Sequence, residues 1–174
     1  RDVAISVRAM NYVNSPAGAL NRRIESIREA VVYIGRETIR RWVTLLIMAR
    51  LDDKPGELVT MTPVRAKFME LLALEAEQED ANAFFTVGLF SVLDALMDAP
   101  LEEVIDTLTI PQELHDALCQ HLGNKGESLK LAKALEYGEL SSFEPFQIPA
   151  PLIASIHQTA TQWADETLAG MANS

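Results

Sequence analysis

The sequence contains a single cysteine, Cys119, in 174 residues. One cysteine cannot close an internal disulfide, so a disulfide-stabilised scaffold is excluded and a reducing cytoplasm is the expected compartment. No membrane span is predicted either, because the longest uncharged stretch, residues 145–164, contains three prolines, three glutamines and a histidine. The apolar run near the N-terminus is too short and too closely flanked by charges for a secretory signal.

The sequence also lacks the common signatures of catalysis and nucleotide binding. Glycine-rich phosphate loops, Cys-x-x-Cys pairs, His-Glu-x-x-His helices and Gly-x-Ser-x-Gly turns are all missing. Only His115, His121 and His157 could act as a histidine base, and no serine or cysteine stands beside one of them as an obvious nucleophile. We therefore predict no catalytic residues and no cofactor.

The composition favours an all-α protein. Alanine and leucine occur 22 times each, whereas the β-branched residues valine and isoleucine occur 11 times each. Apolar residues make up 48% of the chain and charged residues 23%, which is enough for a core without disulfides or metal. The length suits one domain, and the predicted fold class is a compact multi-helix bundle.

The charge is distributed unevenly along the chain, whose net charge is −10. Residues 1–50 hold nine arginines and four acidic residues, a net +5, so residues 51–174 carry −15. An acidic body disfavours binding to a phosphate backbone, and no nucleic-acid partner is predicted. Five arginines are candidate contacts for a partner or an anionic ligand, with a solvated, internally paired face as the alternative: Arg22, Arg23, Arg36, Arg40 and Arg41.

Hydrophobic residues recur at helical spacing along most of the chain. Before residue 55 the pattern predicts three helices, over about residues 3–13, 27–34 and 39–47. A long helix follows, and we expect Pro63 to kink or break it near Thr62. The next helix, capped by Asn82 and apolar on nearly every side as far as Leu96, is predicted to be the central one.

Shorter helices are predicted after Pro100, over residues 101–108, 111–122 and 127–137. A proline-containing connector, residues 141–149, then leads to a C-terminal amphipathic helix that starts near Pro151. The connector allows this last helix either to dock back on the bundle or to reach a neighbouring molecule.

Two sets of polar residues are candidate sites. His115, Asp116 and Cys119 are residue types that bind transition metals, and His115 and Cys119 are one helical turn apart. His121 lies about 120° round the helix from His115, so we predict no metal site, a solvated His115–Asp116 face and a core Cys119. Asp94, on a largely apolar helix, is predicted to be a structural tie to an arginine or a helix N-terminus.

Short strings along the chain form a recognisable series. They are Asn14-Ser15, Ile24-Glu25-Ser26-Ile27, Ala30, Ile34-Gly35, Arg40-Arg41-Trp42, Arg65-Ala66, Val87-Gly88-Leu89-Phe90-Ser91, Leu93-Asp94-Ala95-Leu96 and Pro100-Leu101-Glu102-Glu103-Val104. This series resembles the HDOD domain, the HD-related output domain, over about residues 1–138. It is most similar to the form that follows an EAL domain in the bacterial EAL-HDOD (YuxH-like) signalling proteins.

The resemblance implies an HD-like helical bundle without the metal-binding His and Asp positions of the HD phosphohydrolases. On this basis residues 1–140 are expected to form the HDOD-type domain, with further helices before residue 1. Residues 141–174 are expected to form the connector and the C-terminal helix. The resemblance also implies an upstream EAL-type domain and a role in cyclic-di-GMP signalling.

We therefore interpret the chain as a non-catalytic output domain that contacts itself or other signalling proteins, with no membrane partner. Two alternatives stay open: a divergent metal-dependent HD phosphohydrolase, and a small-ligand sensor with a pocket lined by arginines. Bound metal with turnover that depends on His115 would indicate the first. Stabilisation by nucleotides would indicate the second.

Overall fold

The computed structural model describes residues 56–108, 110–139 and 145–172, and every regular element in these ranges is helical. In chain order they are α1 (Gly56–Glu75), α2 (Ala81–Phe90), α3 (Leu93–Met97), α4 (Leu101–Asp106), α5 (Gln112–Gln120), α6 (Gly123–Glu136), a 3-10 turn (Pro145–Gln147) and α7 (Ala150–Ala172). The all-α prediction is confirmed. The three helices predicted before residue 55 lie outside the described residues.

Helices α1 and α2 form the centre of the bundle. Seven consecutive residues of α2, from Ala83 to Leu89, are buried, which confirms that this helix is the central one. Phe68 and Leu72 of α1 are almost completely buried against it. The shorter helices and α7 close the core with further large apolar side chains, among them Ile105, Leu118, Leu129 and Ile153.

Gly88 sets the distance between these two helices. A Cβ atom at Gly88 would lie 2.7 Å from the Ala66 Cα atom, closer than real Cβ contacts come. The two backbones therefore pack against each other because residue 88 has no side chain and residue 66 has a small one. Both residues belong to the strings on which the HDOD resemblance rests.

Helix α1 is uninterrupted at Pro63, and the predicted break near Thr62 is wrong. Proline removes one backbone hydrogen bond from a helix. Here Pro63 is itself buried in the core, and the Thr62 hydroxyl donates a hydrogen bond to the Leu58 carbonyl at 2.7 Å. The packing of the ring offsets the lost bond.

The boundaries of α2 also differ from the prediction. Asp80 caps this helix in place of Asn82, because its carboxylate accepts a hydrogen bond from the Ala83 N–H at 3.1 Å. The helix ends at Phe90 instead of continuing to Leu96. The Ser91 hydroxyl donates to the Gly88 carbonyl at 2.7 Å, a local bond that competes with continued helix.

The junction between α5 and α6 lies earlier than the prediction. Helix α5 ends at Gln120, the following residue His121 caps it in a left-handed conformation with φ 56°, and α6 begins at Gly123. The tight turn requires glycine at residue 126, since a Cβ atom there would lie 2.1 Å from the His121 carbonyl carbon. The sequence placed the start of this helix at residue 127.

Helix α7 docks back on the bundle along α1. Its buried stripe is Ile153, Ile156, Ala160 and Ala164, and the first three of these belong to the main core. Of the two outcomes that the connector allowed, the structure shows docking. Within the described ranges, no helix combines the length and apolarity needed to cross a membrane.

We predict that Gly88→Ala lowers the free energy of unfolding by about 2 kcal/mol, since the added methyl group forces α1 and α2 apart. Gly56→Ala is the matched control, because a Cβ atom at Gly56 has nothing within 4 Å. It should leave stability unchanged or raise it slightly. Urea unfolding of both variants measures the difference, and equal stabilities would contradict the close approach at Gly88.

Candidate functional site

The main polar site of the described structure is built around Arg65, a buried arginine in the middle of α1. Its Nε and Nη2 atoms each donate to one carboxylate oxygen of Glu136 at 2.7 Å. Its Nη1 atom donates to the Ser91 hydroxyl at 2.8 Å and faces the Ser91 carbonyl at 3.4 Å. Only 6% of the Arg65 side chain and 16% of the Glu136 side chain are exposed.

This arrangement joins three helices at one point. Arg65 lies on α1, Ser91 follows the last residue of α2, and Glu136 is the last residue of α6. The two-point pairing of guanidinium and carboxylate fixes the angle as well as the distance between α1 and α6. Ser91 accepts from Arg65 and donates to the Gly88 carbonyl, so the end of α2 is held at the same place.

Further charged groups surround the pair. Lys133 of α6 is half-buried, and its burial and the nearby Arg65 charge lower the pKa of its ammonium group, while Asp94 and Glu136 act in the opposite direction. Asp94 itself is exposed in the first turn of α3, where its carboxylate accepts the Ala95 N–H at 2.8 Å. The structural role predicted for Asp94 stays a prediction.

His157 brings α7 to the same region. Its ring meets the Phe68 ring edge-on, with 5.6 Å between the ring centroids. Burial lowers the pKa of His157 below its ordinary value of 6.5, and the negative charge of Glu136 partly opposes this. The neutral imidazole is therefore the form that the folded protein favours.

The second polar set, around His115, is more enclosed than the sequence predicted. The His115 side chain is 20% exposed, its Nε2 atom is 3.0 Å from Asp106 Oδ1, and its Nδ1 atom is 3.7 Å from Asp116 Oδ1. The Cys119 Sγ atom lies 4.0 Å from Nε2, and burial, followed by Glu102 and other nearby acids, raises the pKa of this thiol. The predicted solvated His115–Asp116 face did not include the contact with Asp106, because that residue belongs to the preceding helix.

These side chains do not form a recognisable metal centre. Across residues 56–108, 110–139 and 145–172, no three His, Cys, Asp or Glu side chains are grouped so that they could hold a metal ion. The His115 Nδ1 atom is buried and has no hydrogen-bond partner in this part of the chain.

A groove of about 480 Å³ runs along α7. It is lined by residues of α7: Ala154, His157, Gln158, Thr161, Gln162, Asp165 and Glu166. No arginine contributes to its lining in the described ranges. The five candidate arginines, Arg22, Arg23, Arg36, Arg40 and Arg41, lie outside the described residues, and their predicted contacts stay predictions.

The sequence contained part of the signal for the Arg65 site. Arg65-Ala66 and the string from Val87 to Ser91 belong to the series that resembles the HDOD domain, and these two are called the family strings below. No local sequence pattern connects one with the other. The partner Glu136 lies 71 residues from Arg65 and sits in an ordinary helical pattern. The one usable signal was that Arg65 falls on the core side of α1. A buried arginine needs a carboxylate partner.

The described architecture defines an all-α bundle organised by a buried arginine and a close glycine contact. A family model, the HDOD domain, matches residues 1–108. The chain belongs to the HDOD domain family, and the HD-like bundle expected from the resemblance is confirmed.

Two curated proteins are similar over most of this chain. YuxH of Bacillus subtilis (strain 168) is 30% identical over 140 residues, which cover 78% of this chain and 34% of that protein. The cyclic di-GMP phosphodiesterase CdgJ of Vibrio cholerae serotype O1 is 32% identical over 149 residues, covering 83% of this chain and 34% of CdgJ. The chain thus spans about a third of the length of these relatives. No solved structure matches it.

We predict that Glu136→Ala lowers the free energy of unfolding by about 3 kcal/mol, because it leaves the Arg65 charge buried and unpaired. The double variant Arg65→Met with Glu136→Leu should recover most of this loss, since no buried charge remains. The control is Glu113→Ala, which breaks the Lys125–Glu113 pair at a glutamate that is 71% exposed and should cost less than about 1 kcal/mol. Urea unfolding compares the variants, and a Glu136→Ala loss as small as the control would contradict the account.

We also predict that stability decreases in mildly acidic solution through His157. Because the folded pKa lies below 6.5, the unfolded chain binds a proton at pH values where the folded chain does not. The free energy of unfolding should therefore fall as the pH drops from 6.5 towards the folded pKa, and His157 should contribute no slope above 6.5. His157→Gln should reduce this slope in urea titrations across the pH range, and an unchanged slope would contradict the burial of the imidazole.

Proposed function

We propose that this chain is a non-catalytic output domain of a cyclic-di-GMP-related signalling protein, and that it acts through contacts with protein surfaces. Membership of the HDOD domain family supports the signalling role. The similarity to CdgJ, a cyclic di-GMP phosphodiesterase by name, supports the link to this nucleotide. Both relatives are about three times as long as the matched region, so any catalysis in the parent protein is assigned to another domain.

The observation that carries this proposal is that the residues of the family strings make contacts between helices inside the bundle. Each N–H donor of Arg65 faces an acceptor within the bundle: Glu136, Ser91 or the Met61 sulfur atom. Ala66 and Gly88 serve the close contact of α1 with α2. These residues hold helices together, whereas a catalytic motif directs its polar groups into a cavity that a substrate can enter.

The exposed charges suit a protein contact. No lysine or arginine occurs from residue 68 to residue 124, and Asp94, Glu102 and Glu103 are exposed on α3 and α4. An acidic surface of this kind favours encounter with a basic partner. We assign the opposite role, contact with an acidic or anionic partner, to the basic N-terminal part, with Arg22, Arg23, Arg36, Arg40 and Arg41 as its contact residues.

The proposed partners are an upstream EAL-type domain in the same parent protein, other signalling proteins or a second copy of this chain. Residues 1–140 are the proposed HDOD-type unit, and residues 141–174 an extension that packs on the same core through α7. We place the protein in the cytoplasm and propose neither nucleic acid nor a membrane as its partner.

We predict that the purified chain binds no stoichiometric iron, manganese or zinc and hydrolyses neither cyclic dinucleotides nor phosphomonoesters. Metal analysis and phosphate-release assays check this, with His115→Ala as the comparison because His115 is the histidine closest to Asp106 and Cys119. Stoichiometric metal together with turnover that His115→Ala abolishes would establish the alternative, a divergent metal-dependent HD phosphohydrolase.

A second experiment tests the proposed protein contacts and uses the intact parent protein. Charge reversal at Arg40 and Arg41 should weaken capture of the partner in a pull-down. The loss should be at least as large as the loss that a tenfold higher salt concentration causes in the unchanged protein, because salt screens contacts between charges. Lys130→Glu is the control, since Lys130 is an exposed cation of α6, and it should leave capture unchanged. Equal effects of both reversals would contradict the assignment of the arginines.

A further inference from the structure

Helix α7 covers two separate apolar surfaces of the bundle. Ile153, Ile156 and Ala160 complete the main core. Further along, Trp163 packs on a second, smaller cluster formed by Ala66, Phe85 and Leu89 of α1 and α2. The rings of Trp163 and Phe85 meet edge-on with 6.4 Å between their centroids, and the Lys67 ammonium lies 5.1 Å from the Trp163 ring. The smaller cluster is thus covered by one aromatic side chain of α7.

The contact of α7 with the bundle becomes weaker from residue 150 to residue 169, the part of this helix whose side chains the structure describes. Its first turns bury two isoleucines, Ile153 and Ile156, whereas from residue 158 to residue 169, where the described side chains end, the buried ones are Ala160 and Ala164. A buried alanine removes much less apolar surface from water than a buried isoleucine does. Among the described side chains of residues 158–169, Trp163 is therefore the main anchor, and it is only partly buried.

The turn that leads into α7 is strained. Phe146 and Gln147 are consecutive non-glycine residues with φ values of 60° and 59°, in the left-handed region. Each such residue is disfavoured by roughly tenfold relative to ordinary backbone. Phe146 is held by packing on Phe84, with 6.3 Å between the ring centroids. Gln147 is exposed, so its own side chain adds little to holding the turn.

We propose that α7 detaches from the bundle as a unit, with the Phe146–Gln147 turn as its hinge, and that the α7 helix of a second copy takes its place on α1 and α2. The inference rests on the proposed function, because it names a partner and a surface for the contact. The surface consists of Ala66, Phe85 and Leu89 together with the part of the core that Ile153 and Ile156 close.

A second copy is the occupant that fits this surface best, because α7 is the helix that is already complementary to it. In an exchanged pair each α7 keeps every contact of the closed form. The difference in free energy then comes from the hinge and from the association itself. Since the hinge leaves the left-handed region in both copies, strain at Phe146 and Gln147 favours exchange.

Variants of Gln147 test the hinge without removing a buried side chain. Gln147→Gly removes the cost of the left-handed φ in the closed form, so the association constant of the dimer should fall by about a hundredfold, roughly tenfold for the hinge of each copy. Gln147→Pro cannot adopt a positive φ, so it should raise the dimer fraction. Gln147→Glu is the matched control, with the same backbone preference as glutamine, and should behave like the unchanged chain. Sedimentation velocity of the full chain over a concentration series measures the dimer fractions.

Opposite responses of the glycine and proline variants are the expected result. A dimer formed through another face would not depend on the backbone preference of residue 147, so equal dimer fractions in both variants would overturn the proposal. A chain that stays monomeric at every concentration, with or without Gln147→Pro, would overturn it as well. If the proline variant fails to fold, the glycine variant and hydrogen exchange still decide the question.

Hydrogen exchange of the full chain tests detachment independently. The amides of α7 should exchange together and at least about tenfold faster than those of α1, because a unit that opens locally exchanges without global unfolding. Trp163→Ala should speed exchange in α7 while leaving α1 unchanged, and Ser155→Ala, on the exposed side of α7, should change neither. Exchange of α7 at the rate of α1 would overturn the proposal. None of these readouts involves turnover or the parent protein, so their failure leaves the proposed function standing.

Discussion

The geometry with which three helices of the bundle meet depends on the ion pair between Arg65 and Glu136. A guanidinium that is 6% exposed is stable in the folded state only when its donors are satisfied, and the two oxygens of one carboxylate satisfy it with fixed geometry. Ser91 completes the set and at the same time ends α2. One buried charge thereby determines where three helices meet, and the close approach at Gly88 determines how near two of them come.

This constraint explains why the family strings look as they do. Arg65-Ala66 and the string from Val87 to Ser91 are distant in sequence, yet they form a single contact between α1 and α2. The packing role of these residues supports the proposal that the domain passes on a signal by contact. The proposed detachment of α7 would add a movable element to this core.

Periodicity and composition were sufficient to predict an all-α bundle, the central position of α2 and the existence of the later helices, because each follows from local spacing. Tertiary effects decided the rest. Pro63 stays within α1 because it is buried, α2 stops at Ser91 because that hydroxyl bonds locally, and His115 pairs with Asp106 of another helix. Glu136 could not be identified as the partner of Arg65, since 71 residues separate them and nothing local marks either as paired.

The exchange rate of the Arg65 Nε proton, followed by nuclear magnetic resonance on the full chain at neutral pH, tests the central claim most directly. A guanidinium enclosed by Glu136 and Ser91 should show a resolved Nε–H signal that exchanges with water far more slowly than that of a free arginine. Glu136→Gln should accelerate it. Exchange of Arg65 at the rate of a free arginine would contradict a buried tie and, with it, the assignment of the family strings to the structure of the bundle.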